Sequence, residues 1–242
     1  MSIKIENIVP PSISQWEAVI RGMRNPMNSW DKSDSAWDLI EDPSPCNPED
    51  WVYIKIGPND LDLMRRLAKA GSDHRKFLRM LPVMMDITAP VFWAAEHDTY
   101  KVSTVRNSCS FMHRGCAKSF EIKDFSVGDK RIYEALTHKY GTMTFTDEAY
   151  VQKVAVWESV LVLLNRLREQ YLETKDESIF EEIRCLLPSG YNVRYTWSAN
   201  YEVLWNIYQA RKNHRLLEWR EFCETILRKV PYFAEIFGIE AT

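Results

Sequence analysis

The chain has 242 residues, 45% of them hydrophobic and 27% charged, with a formal net charge of −3 and a pI near 6.0. This is ordinary globular composition, and the chain is read as a single domain over residues 1–242. The charge balance argues against an electrostatic nucleic-acid binder, and no run of eighteen apolar residues is present to span a membrane.

Residues 3–9, IKIENIV, alternate as a short strand does. Trp16, Val19 and Ile20 then recur at helical spacing. Residues 24–50 are rich in Pro, Asn, Asp and Ser and read as a long loop, which Trp30 and Trp37 imply is packed on something. A short strand is expected over 51–56. Pro58-Asn59-Asp60 then starts a helix whose inner face is Leu61, Met64, Leu67 and Ala68, ending at Gly71. Past the turn Gly71-Ser72-Asp73-His74, residues 81–88 (LPVMMDIT) suit a strand before Ala89-Pro90.

Residues 124–129 read as a loop and 131–138 as a short helix. Thr146 is placed to cap a long helix, with Asp147 and Glu148 in the first turn. Tyr150, Val154, Trp157, Leu161, Leu164, Leu167 and Tyr171 form its continuous stripe, for a core or a subunit interface. Another short helix, 177–187, leads into Leu187-Pro188 and a Ser189-Gly190 turn. Leu204, Ile207 and Tyr208 make the next apolar stripe, with Asn200 as its N-cap; Asn206 and Arg211 share no face. Residues 216–230 form the last expected helix, ended by Pro231.

The five cysteines, Cys46, Cys109, Cys116, Cys185 and Cys223, are odd in number and irregularly spaced, with no CxxC. Reduced thiols in a cytoplasmic protein are the simplest reading, and residues 1–11 lack a signal-peptide pattern. Cys109, His113 and Cys116, with His97 nearby, invite a metal reading. Their C-x3-H-x2-C spacing matches no common zinc pattern, so no metal is assigned. A nucleophilic Cys109 activated by His97 or His113 is a further rival, but Cys is often a small buried hydrophobe. The nine Trp and eleven Tyr either line a pocket for flat rings or fill cores.

Two stretches carry a resemblance. Leu187-Pro188, Arg194, Trp197, Asn200, Asn206, Arg211, His214 and Glu218 resemble, in order and spacing, the C-terminal half of the flavin-dependent thymidylate synthases. The match is ungapped from Leu187 to Arg211 and needs one deleted residue before His214. The second stretch runs on from Ala89-Pro90, where the family carries R-H-R-x-x-S-x-N-E-x-S-x-R-Y on a helix. Without gaps, R-H-R falls on Thr99-Tyr100-Lys101, the first S on Thr104 and N-E on Arg106-Asn107. A one-residue slip places the N on Asn107 and the later S on Ser110. The family's Gly-His-x-Ser/Thr segment is similar to Gly71–His74, with Ser72 in place of the His.

The resemblance implies an α+β fold, a twisted antiparallel sheet flanked by helices. It also implies a homotetramer with shared active sites. The implied reaction converts dUMP to dTMP, with methylenetetrahydrofolate as methylene donor, FAD as hydride carrier and NADPH to recharge the flavin. By position, Arg211 is the catalytic cation beside the uracil ring. Substrate binding falls to Arg194, Glu96, Asn107, Ser108, Cys109 and Ser110, and flavin binding to Thr99, Tyr100, Lys101, His74, Asn200 and Asn206. The alternative is a nucleotide-binding relative that kept Arg194 and Arg211 without the flavin.

Overall fold

The computed structural model describes residues 3–39, 52–110, 115–137 and 148–239. Strands β1 (Lys4–Val9), β4 (Pro82–Pro90), β5 (Val105–Ser108) and β6 (Asn192–Asn200) form one sheet in the order β1-β4-β6-β5. The helices are α1 (Ile13–Arg24), α2 (Pro58–Lys69), α3 (Val91–His97), α4 (Lys130–Thr137), α5 (Glu148–Thr174), α6 (Glu177–Leu186), α7 (Tyr201–Arg211), α8 (Leu217–Lys229) and α9 (Phe233–Phe237). This is the expected α+β class, an antiparallel sheet flanked by helices. Two compact units are formed. One comprises Met1–Lys4, Ile87–Thr99 and Asn107–Tyr195; the other comprises Ile5–Asp86, Tyr100–Arg106 and Thr196–Thr242.

In the second unit, α1 begins at a capping box. The Ser12 hydroxyl accepts from the Gln15 amide at 3.3 Å, and the Gln15 side chain accepts from the Ser12 amide at 2.8 Å. The helix buries Trp16, Val19, Ile20 and Met23, the face its spacing predicts. Trp16 meets Tyr201 edge-on at 5.6 Å, and the stripe Leu204, Ile207 and Tyr208 of α7 is buried as expected. Strand β4 forms where a strand was expected, and alternate positions Val83, Met85, Ile87 and Ala89 are buried.

The expected 24–50 loop is corrected in its described part. It folds into 3-10 turns at Asn25–Met27 and Trp30–Lys32 and a strand β2 (Ala36–Leu39), antiparallel to β3 (Val52–Lys55) with Ala36 opposite Lys55. Nor do its tryptophans anchor it: Trp30 and Trp37 are 50% and 61% exposed. The anchor is polar. The fully buried Asp60 carboxylate accepts from the Ser33 and Ser35 hydroxyls at 2.8 and 2.7 Å and from Arg24 Nε at 2.6 Å. Gly57 lies so close to Asp34 that a Cβ there would clash with it. Residues 40–50 of that loop lie outside the described residues.

In the first unit, α5 packs Leu164 and Leu167 with Phe180 and Ile183 of α6 and with Phe120, Phe125 and Cys116. Tyr150 of the same helix joins Ile122 and Ile132. The stripe read from spacing is therefore core-facing. Its proposed cap, Thr146, and first-turn Asp147 lie outside the described residues. Gly190 turns the chain into β6, and its carbonyl accepts from the Ser126 amide at 2.7 Å. A Cβ on Gly190 would lie 2.7 Å from the Ser126 carbonyl, so no larger residue fits this approach.

Two further corrections concern helix ends. The segment Thr99-Tyr100-Lys101 was expected on a helix, but α3 ends at His97 and the three residues occupy the following turn. Pro231 does end α8, yet a short α9 follows it, because Phe233 and Ile236 still have core to bury.

Candidate functional site

Arg211 is the last residue of α7, where a cation also meets the negative end of the helix dipole. Its Nε–H donates to the Tyr100 hydroxyl at 2.9 Å, and its Nη1 lies 2.9 Å from His214 Nε2. The guanidinium carbon stands 4.7 Å from the centroid of Trp219 and 5.8 Å from that of Tyr100. A guanidinium over an indole contributes about 0.5–2 kcal/mol. Trp219 is itself fully buried on α8 and meets Tyr100 edge-on at 5.8 Å and 68°. Tyr100 sits in the turn between α3 and β5, which the Thr104 hydroxyl closes by donating to the Tyr100 carbonyl at 2.6 Å. The arrangement is a permanent cation, half-buried and held on several sides, as electrostatic stabilisation of a ligand anion requires.

Asn200 caps α7 as its position predicts: its side-chain oxygen accepts from the Val203 amide at 3.0 Å. The two side-chain N–H donors of a capping Asn remain for other use. Asn206 is exposed on α7, and Lys101 is exposed in the turn beside Tyr100. His74 is exposed as well, its backbone amide bonded to the Gly71 carbonyl at 3.1 Å. The inward residue of that turn is its neighbour. Arg75 Nε reaches both oxygens of Glu202, in the first turn of α7, at 3.0 and 2.9 Å.

The first unit holds the residues expected to bind substrate. Arg194 is exposed on β6, and its carbonyl accepts from the Cys109 amide at 3.0 Å. Asn107 and Ser108 are exposed on β5, followed by exposed Cys109 and Ser110. Glu96 is half-buried on α3, and its carbonyl accepts from the Thr99 hydroxyl at 2.7 Å. Buried His97 stacks on Trp93 at 4.8 Å and shares a 3.1 Å hydrogen bond with the Tyr195 hydroxyl. His97 is thus built into the core.

Among the described residues no group of three His, Cys, Asp or Glu side chains is placed to hold a metal ion. His113 lies outside them. Among the described residues, likewise, no helix is long and apolar enough to cross a membrane. Two residues of interest escaped the sequence reading, Trp219 and Arg75. Nothing in spacing distinguishes Trp219 from other core aromatics, and His74 drew attention from the Arg beside it.

No family model matches the chain, and no curated protein matches it. Among solved structures it is similar to thymidylate synthase X of Helicobacter pylori, solved with FAD and dUMP. The TM-score is 0.61 at 14% identity, covering 98% of this chain and 96% of that one. A second structure of the flavin-dependent thymidylate synthase of the same organism, also with FAD and dUMP, gives a TM-score of 0.59 at 14% identity over 98% of this chain. Arrived at separately from motif spacing and from the path of the backbone, the fold of this chain is that of the flavin-dependent thymidylate synthases.

Proposed function

We propose that the protein binds dUMP and FAD and converts dUMP to dTMP, with methylenetetrahydrofolate and NADPH as co-substrates. The observation that carries this reading is Arg211. The resemblance to the family implies for it a place beside a pyrimidine ring, and its guanidinium is gripped by Tyr100, His214 and Trp219. Held so, it stabilises negative charge developing on the ring, at no cost of reorganisation during the reaction. Arg194, with the exposed polar run Asn107 to Ser110, is read as the grip on the nucleotide. Glu96 is assigned to the same substrate.

The residues read as flavin-binding retain donors that suit an anionic, planar cofactor. Lys101 offers an exposed ammonium, Asn206 an exposed amide, and Asn200 its amide nitrogen. When bound, FAD supplies the hydride chemistry, and the protein supplies binding and orientation. The fold is read as functioning in a cytoplasmic homotetramer. Exposed Val151, Val156, Val162 and Leu163 on α5 offer apolar surface for that assembly.

One observation favours the second reading, a nucleotide binder without flavin. Thr99 and Asn200 already bond backbone groups, and Tyr100 already holds Arg211. The absorption spectrum of purified protein, with dUMP binding by calorimetry, separates the two. Yellow protein that binds dUMP supports the enzyme, colourless protein that binds dUMP supports the relative, and absence of dUMP binding defeats both.

A further inference from the structure

We propose that Tyr100 is the positioning residue of Arg211, aiming its guanidinium through the Nε–H bond while Trp219 sets the plane. The functional half of this inference rests on the reading of Arg211 as the nucleotide-facing cation. A guanidinium is a planar fork on a flexible stem. Aiming it requires two constraints, one on the direction of the Nε–H and one on the tilt of the plane. The Tyr100 hydroxyl supplies the first, at 2.9 Å, and the indole of Trp219, 4.7 Å from the guanidinium carbon, supplies the second.

His214 is the rival for this role, and its hydrogen bonding rules it out as the fixed hold. Its Nε2 lies 2.9 Å from Arg211 Nη1, and its Nδ1 faces the Leu216 amide at 3.2 Å. A neutral imidazole has one acceptor nitrogen. Two donors therefore compete for it, and whichever tautomer forms satisfies only one of them. A phenol oxygen accepts in either case while keeping its own proton to donate. The Tyr100 contact is thus independent of the state of the imidazole.

Tyr100 is itself well fixed. The Thr104 hydroxyl bonds its carbonyl at 2.6 Å, in a turn that needs Ser103 at a φ of 60°. Its ring stands edge-on against Trp219, which in turn meets Phe222 at 6.0 Å and 83°. The chain of contacts runs from the buried face of α8 to the hydroxyl, and the hydroxyl is the only polar atom of the Tyr100 side chain. Tyr100→Phe removes that atom and leaves the ring contacts in place.

The test uses full-length protein labelled with 15N-arginine. The Arg211 Nε–H signal is identified as the one missing in Arg211→Lys, and its exchange with water is measured alongside dUMP binding. Exchange at least tenfold slower than that of an exposed arginine is expected in the wild type. In Tyr100→Phe that protection is lost and dUMP affinity falls about five- to tenfold, with the thermal midpoint unchanged. His214→Gln has the smaller effect on both readouts. Fast exchange in the wild type, or full protection in Tyr100→Phe, overturns the hold outright. Protection lost with dUMP affinity unchanged, while Arg211→Lys weakens binding, overturns the positioning role and leaves the nucleotide reading standing. Unchanged binding in Arg211→Lys defeats the nucleotide reading itself.

Discussion

Arg211 and Lys212 stand at one end of α7, and both pull on the buried thiol of Cys223. Burial pushes that thiol up, the two cations oppose it, and burial prevails, leaving it at about 12. At pH 7 the group is an inert thiol, since the thiolate is the reactive species. Alkylation of native protein at neutral pH is therefore expected to modify exposed Cys109 and Cys185 and to spare Cys223, read by peptide mass mapping. Modification of Cys223 at the rate of Cys109 would show that the α7–α8 packing opens. Arg211 answers a different substitution. Arg211→Lys keeps the charge but loses the fork, so dUMP affinity or turnover should fall at least tenfold, or about 1.4 kcal/mol, in a protein that still folds. A surface ion-pair role would cost only about 0–1 kcal/mol of stability and leave binding unchanged.

At the scale of elements, the segment from Ser29 to Ser35 is held to α2 by one buried carboxylate. Burial alone would raise the Asp60 carboxyl. Hydrogen bonds from Ser35, Ser33 and Arg24, with the Arg24 charge, outweigh it and hold the group below the usual carboxylate range. The folded value lies below the unfolded one, about 3.9. This contribution to stability is therefore complete above the unfolded value and is lost as pH falls through the folded one. The thermal midpoint of the wild type should drop below about pH 4. Asp60→Asn should lack that component and be less stable at pH 7 by about 3–5 kcal/mol, because Arg24 is left buried without its partner. An Asp60→Asn midpoint equal to wild type at pH 7 would show that the pair contributes nothing.

Elements whose pattern is local were legible in the sequence. Periodicity alone places α1, the core stripe of α5 and the capped start of α7, because burial of one face and a cap at Asn200 follow from spacing. Strand β3 formed within the expected strand over 51–56, but its partner β2 was not legible. The polar composition that signals a loop is here the composition of an Asp60-centred anchor. The site divides in the same way. The Asn200 cap was legible from spacing and Arg211 was singled out only by the family resemblance, whereas the contacts of Trp219 and Arg75 are ones that no local pattern encodes. His74 illustrates the converse, since a motif position drew attention to a side chain that the fold leaves in solvent.

For the whole molecule, assembly is the first expectation. Light scattering at micromolar concentration should give a mass near four times the 28.5 kDa chain. Val156→Lys combined with Val162→Lys, on the exposed side of α5, should lower it. A monomer mass in the wild type would exclude active sites shared between subunits. The central claim, that this fold still serves a flavin and a nucleotide, is tested most directly by titrating FAD with the protein in the presence of dUMP and following flavin fluorescence. Thr99-Tyr100-Lys101 stands where the family has R-H-R, and each lost charge-assisted bond costs about 1.5–3 kcal/mol. The account therefore predicts saturable quenching in the micromolar range, strengthened by dUMP. Unquenched flavin at saturating protein, with or without dUMP, would contradict it.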